Sequence, residues 1–229
     1  MTVNIHSIET LGALDGPGLR TIMFFKGCPL RCKYCHNADM LSSSGGHTYS
    51  IEYLVEGAQR YKNFYGKDGG VTLSGGEPLM QPKAVITLTK ALHTVDIHVT
   101  LDTSGYPYNE EVLSLVDLVI LDIKHTEKAD YQELTGIKID DSLKTLAYLK
   151  AHNKPFWIRQ VIVEGITDTE SQIKRLKELS AGAQKIELLP YHKMGVDKWK
   201  SAGLPYALDG VPATSAKTMQ KVNTWLAQY

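Results

Sequence analysis

The sequence predicts an α/β fold of parallel strands, built as a partial (β/α)6 barrel with its active site at the C-terminal strand ends. Three observations carry this. Short β-branched and apolar runs alternate with amphipathic stretches along the 229 residues, the pattern of strand–helix–strand units joined by right-handed crossovers. Most of the strand runs are continuously apolar, as strands buried on both faces are. Nearly every run is followed at once by glycine or an ionisable side chain. A parallel barrel gathers such ends around one mouth, whereas an open sheet joins only those at a switch point.

The strand segments are 21–26, 71–74, 97–101, 118–123, 156–163 and 185–189. The first leads into Gly27 and Cys28, and the second ends in Ser74-Gly75-Gly76-Glu77-Pro78. The third gives Asp102-Thr103-Ser104-Gly105, the fourth Asp122 and Lys124, the sixth Pro190-Tyr191-His192; the fifth holds Arg159 within an apolar run. Between them, Ile51, Leu54, Val55, Ala58 and Tyr61 form one helical stripe, and Val85, Leu88, Ala91 and Leu92 another. Ser50 and Asn109 have the chemistry of N-caps, Pro82 suits a first helical turn, and Thr167 with Glu170 has capping-box spacing. A last helix over 215–227 carries Met219, Val222 and Leu226 on one face.

Composition narrows the class. Hydrophobic residues make up 43% and charged residues 22%, enough for a sizeable core in a single domain over 1–229. Lys plus Arg and Asp plus Glu both total 25, so nothing calls for nucleic acid or an anionic membrane as partner. No apolar run reaches the length of a membrane span. The first ten residues lack a basic region followed by an apolar block. The expectation is a cytoplasmic monomer.

The only three cysteines, Cys28, Cys32 and Cys35, lie within eight residues. A secreted disulfide protein spreads its cysteines and uses an even count; this cluster points to metal or redox chemistry. Three thiolates from one loop suit a cubane iron–sulfur cluster, which has four irons to ligate, so that one iron stays open. The competing reading is structural zinc completed by His36 or His47, although His36 directly follows Cys35 and is awkwardly placed to join the same tetrahedron. A redox-active thiol pair is a third reading.

Cys-x-x-x-Cys-x-x-Cys with Tyr34 before the last cysteine resembles the signature of the radical S-adenosylmethionine superfamily. Asp15-Gly16-Pro17-Gly18-Leu19-Arg20, Tyr34-Cys35-His36-Asn37 and Ser74-Gly75-Gly76-Glu77-Pro78 resemble the glycyl-radical-enzyme activases. Leu101-Asp102-Thr103-Ser104-Gly105, Leu121-Asp122-Ile123-Lys124, Trp157-Ile158-Arg159 and Glu187-Leu188-Leu189-Pro190-Tyr191-His192 extend the likeness over the whole chain, closest to the pyruvate formate-lyase activators. With no cysteine beyond the three, it has the short form without auxiliary clusters.

The resemblance implies an oxidoreductase of anaerobic fermentation comprising one radical SAM domain. Cys28, Cys32 and Cys35 would hold a [4Fe–4S] cluster. Tyr34, Cys35, His36, Gly75, Gly76, Glu77, Asp102, Asp122, Ile123, Lys124 and His192 would contact S-adenosylmethionine, with Asp102 and Asp122 forming a monovalent cation site. Arg159 is a weaker candidate, since an arginine in a strand also serves buried ion pairs. The implied partners are pyruvate formate-lyase as protein substrate and a flavodoxin-like or ferredoxin-like electron donor; apart from the resemblance, the charges of Arg31 and Lys33 beside the cysteines suit the steering of an acidic donor. An activator of another glycyl radical enzyme, a radical enzyme acting on a small molecule, and a zinc-stabilised interaction domain are the alternatives.

Overall fold

The computed structural model describes residues 1–229. The strands are β1 (Thr2–Gly12), β2 (Arg20–Phe25), β3 (His47–Ser50), β4 (Gly70–Gly75), β5 (His98–Thr103), β6 (Leu118–Asp122), β7 (Phe156–Ile162) and β8 (Lys185–Pro190). The helices are α1 (Ile51–Gln59), α2 (Lys62–Tyr65), α3 (Pro82–His93), α4 (Glu110–Leu115), α5 (Lys128–Thr135), α6 (Asp140–Ala151), α7 (Glu170–Leu179), α8 (Val196–Ser201) and α9 (Ala216–Gln228). They divide into two compact units, each assembled from separate stretches of chain: Met1–Pro29, Met40–Leu121 and Asp141–Phe156 in the first, and Leu30–Asp39, Asp122–Asp140 and Trp157–Tyr229 in the second.

In the first unit the strands pair in the order β3-β1-β2-β4-β5-β6. The β2, β4, β5 and β6 ladders are parallel, and β1 runs antiparallel to both β2 and β3. All six foreseen strands form, with ends that move by a residue or two, and the α/β class with parallel strands is as predicted. Two further strands, β1 and β3, were not foreseen and add an antiparallel flank to these six. In β1 only Val3 and Ile5 are buried, and β3 is four polar or aromatic residues without an apolar run. Neither resembles a buried parallel strand.

Helix starts follow the side chains foreseen. Ser50 Oγ accepts from Tyr53 N, Asn109 Oδ1 from Val112 N, and Pro82 opens α3. The capping box does not form. The cap of α7 is Thr169, whose Oγ1 accepts from Gln172 N, while Thr167 Oγ1 closes a turn between Val163 N and Val161 O. Tyr61 also lies past the end of α1.

The interior of the first unit is not apolar throughout. Val71 and Leu73 fill one face of β4, but Thr72 between them is equally buried and meets Arg20, whose side chain is fully enclosed. Arg20 Nε donates to Thr72 Oγ1 at 2.6 Å, Nη1 to Pro17 O and Asp68 O, and Nη2 to Val71 O at 2.7 Å. Burial pulls the guanidinium down to about 10, still protonated at neutral pH. Arg20 therefore ties the Asp15–Arg20 loop to the base of β4 by donating to carbonyls on both sides of it.

In the second unit β7 and β8 pair in parallel, and Ile162, Ile173 and Val222 form a core with Leu188, Met219, Trp225 and Leu226. The predicted last helix is α9, capped by Ser215. Arg159 resolves as a strand-to-strand ion pair, 3.0 Å from Glu187 Oε2. No helix is long and apolar enough to cross a membrane.

Replacing Arg20 with Met keeps the length and removes every donor. It should cost about 3 kcal/mol of stability, read from urea unfolding. Arg20→Lys should recover little, since one ammonium does not reproduce the planar guanidinium fork.

Candidate functional site

In the first unit the cysteine loop starts where β2 stops. Gly27, at φ 94°, donates to Met40 O at 2.8 Å and Cys28 N to Leu41 O at 3.2 Å. The end of β4 lies against this turn. Gly76 N donates to Phe25 O at 2.8 Å and Glu77 N to Gly27 O at 2.9 Å. A Cβ on Gly76 would sit 2.3 Å from Gly27 O. Glycine is required here because the protein's own backbone comes this close.

The Glu77 side chain turns inward and is 1% exposed. Its Oε1 accepts from Leu79 N at 3.1 Å and Thr103 Oγ1 at 2.6 Å; its Oε2 accepts from Ser104 N at 2.9 Å and Ser104 Oγ at 2.7 Å. Burial raises its pKa against the pull of these four donors. Both oxygens are occupied by protein groups, so the carboxylate joins the end of β4 to the end of β5. Asp102, inside β5, accepts from Ser74 Oγ at 3.0 Å.

In the second unit the rest of the loop is held by a helix end. The last-turn carbonyls of α5 lack intrahelical donors, and here Arg31 N donates to Thr135 O at 2.7 Å and Lys33 N to Leu134 O at 3.0 Å. Cys35 N donates to Cys32 O at 2.9 Å. Lys33 Nζ pairs with Glu133 at 2.7 Å, so its charge is already engaged, which weakens its case for steering a donor.

Tyr34, Asp122 and Lys124 gather beside this segment. Lys124 Nζ lies 2.5 Å from Asp122 Oδ2 and 5.9 Å from the centre of the Tyr34 ring. Burial alone would lower the Lys124 ammonium, but Asp122, Tyr34 and Cys32 outweigh it and hold it well above its usual range. Burial pushes the Tyr34 hydroxyl up. Tyr34 Oη and Asp122 Oδ1 are buried without a partner in the protein. Ile123 is fully buried, and its N–H is spent on Arg159 O at 2.9 Å.

His36 and His192 meet edge to face, ring centres 4.3 Å apart. One contact had no sequence signal: Trp199 Nε1 donates to Cys35 O at 2.7 Å. Cys32 is buried and Cys28 and Cys35 half-buried, all without disulfides. Burial raises the Cys35 thiol.

Three unlinked thiols on one loop have the donor chemistry of an iron–sulfur cluster. The unsatisfied Tyr34 hydroxyl and Asp122 oxygen fit a polar ligand beside it, since buried polar atoms are otherwise paired.

The profile of the Radical SAM superfamily matches residues 22–176. Over 233 residues the chain is 40% identical to the pyruvate formate-lyase-activating enzyme of Clostridium pasteurianum, covering 98% of this chain and 97% of that protein. It is 40% identical over 234 residues to the pyruvate formate-lyase 1-activating enzyme of Escherichia coli strain K12, with coverages of 98% and 95%. Streptococcus suis SuiB, solved bound to S-adenosylmethionine, superposes with a TM-score of 0.69 over 91% of this chain and 48% of that one. At 15% identity that likeness speaks for the fold.

Glu77→Gln tests the buried carboxylate. Each oxygen receives a backbone N–H, so whichever way the amide turns, its NH2 faces a donor. The variant should lose about 2 kcal/mol in chemical denaturation, and wild-type stability would show that the four bonds do not bear on the fold.

Proposed function

The chain belongs to the pyruvate formate-lyase-activating enzymes of the radical SAM superfamily, and from that footing we propose how its own residues carry the activity. Its protein substrate is pyruvate formate-lyase. Its cofactors are a [4Fe–4S] cluster and S-adenosylmethionine. Once bound, they supply one-electron cleavage of the sulfonium to methionine and the 5′-deoxyadenosyl radical, which takes a hydrogen atom from one backbone glycine of the partner. The observation that carries the reading is the spacing of Cys28, Cys32 and Cys35 on the loop after β2.

In this proposal Cys28, Cys32 and Cys35 would hold the cluster and leave it open to the methionine end of the cofactor. Gly75 and Gly76 present backbone at the end of β4, and Glu77 acts by fixing that end rather than by touching the cofactor. Lys124 and the open oxygen of Asp122 face the cofactor's polar groups, and Asp102 with Asp122 is the place for a monovalent cation. Tyr34, Cys35 and His36 flank the adenosyl group by ring and backbone, Ile123 shapes the same surface, and His192 meets the ribose. The protein's part is orientation and exclusion of water around chemistry that belongs to the cofactors.

A glycine is a fitting target, because a loop without a side chain enters a narrow mouth most readily. The electron comes from a flavodoxin-like or ferredoxin-like protein. The chain acts as one monomeric domain over 1–229 in the cytoplasm. The interleaving of both units along the chain supports a single working domain, and thiols kept free of disulfides suit a reducing compartment.

Anaerobically reconstituted protein, reduced and supplied with S-adenosylmethionine and pyruvate formate-lyase, should yield a glycyl electron-spin signal with one 5′-deoxyadenosine per radical. Cys32→Ala should lose cluster iron and the signal together. A wild-type preparation that is colourless and carries zinc in place of iron would defeat the proposal.

A further inference from the structure

Two routes lead from the end of β8 to the third cysteine. Tyr191 is buried, and its hydroxyl lies 2.6 Å from that of Tyr206. The Tyr206 ring packs edge-on to Trp199, centres 5.5 Å apart, and Trp199 donates to the Cys35 carbonyl. The second route is direct: His192 stands against His36.

Residues 195–199 complete the grip. Gly195 packs so closely on His36 that a Cβ there would come 2.7 Å from both His36 Cδ2 and its carbonyl oxygen. Lys198 Nζ bonds Asn37 Oδ1 at 3.0 Å and approaches Asp39 Oδ2 at 3.4 Å. Cys35, His36, Asn37 and Asp39 are thus each engaged by a residue of one short segment. An indole N–H is a donor only and lies in the ring plane. Trp199 is 6% exposed, so packing sets the direction in which it donates.

We propose that Gly195–Trp199 is a clamp on the Cys35–Asp39 stretch, with Trp199 a positioning residue for Cys35 that acts through its backbone carbonyl. This rests on the reading of Cys35 as a cluster ligand. The clamp fixes the peptide from which the thiolate projects, and so the orientation of the ligand and the surface that Tyr34–His36 offers to the adenosyl group.

Trp199→Phe keeps an aromatic ring, though a smaller one, and removes the donor; Lys198→Met frees Asn37 from a partly exposed position without entering the core. In cluster-loaded protein both should retain wild-type iron and sulfide yet shift the electron-spin spectrum of the reduced cluster. Affinity for S-adenosylmethionine should fall about threefold to tenfold, the weight of one hydrogen bond. In protein without cluster, alkylation of Cys35 by iodoacetamide should speed up by a similar factor relative to Cys28. Folded variants with wild-type spectrum, affinity and Cys35 labelling would overturn the clamp; should Trp199→Phe not fold, Lys198→Met decides by the same readings. A wild-type chain that takes up no iron would defeat the functional reading, and the alkylation ratio would still decide the clamp.

Discussion

Where β2 and β4 end, two backbones run so close that the end of β4 has no space for a side chain. A Cβ on Gly75 would lie 2.4 Å from Phe25 N, and one on Gly76 2.3 Å from Gly27 O. Gly76 N and Glu77 N at that end donate to Phe25 O and Gly27 O at 2.8 and 2.9 Å. The start of the cysteine loop is therefore registered on the glycine-rich strand end by main chain alone, with no rotamer to average over. Glu77 extends the constraint to β5 through Thr103 and Ser104. Because both carboxylate oxygens are saturated inside a site that excludes water, the link is stiff, as fully satisfied buried networks are.

The rest of the loop has no regular structure of its own and borrows order from helices. Leu30–Asp39 donates two hydrogen bonds to the open carbonyl end of α5 and accepts one from the Trp199 indole of α8. Here the polar groups are not all at rest. A buried Lys124–Asp122 pair costs desolvation that a hydrophobic pair would not, and Tyr34 Oη and Asp122 Oδ1 go unsatisfied beside it. Such an arrangement adds little to stability and is explained by a ligand that completes it. The first unit's strand end is saturated; the second unit's segment is poised.

This contrast decides what the amino-acid sequence made legible. The cysteines were, because three thiols at short spacing point to metal or redox chemistry, and the resemblance of their motif chose the iron–sulfur cluster among those uses. The parallel strands were, because burial on both faces leaves an unbroken apolar run. The strands β1 and β3 were not, since an antiparallel flank half open to solvent has no such run. Gly75 and Gly76 were recognised as sites of close approach, but which backbone approaches is a tertiary fact. Glu77 was read as a ligand contact because its residue type suits one, while its four donors come from residues up to 27 positions away. Trp199 carried no signal at all, standing 164 residues from the carbonyl it holds.

The Asp122 carboxylate shows what the fold adds to a residue list. Read as one of two neighbouring aspartates, it calls for a cation to relieve repulsion. In the fold its charge is already offset by an ammonium 2.5 Å away. What its open oxygen offers is a buried, directed lone pair with little net charge behind it. With Tyr34 Oη also buried without a partner, that oxygen is placed to accept a hydrogen bond from a bound molecule or to join the ligands of a cation.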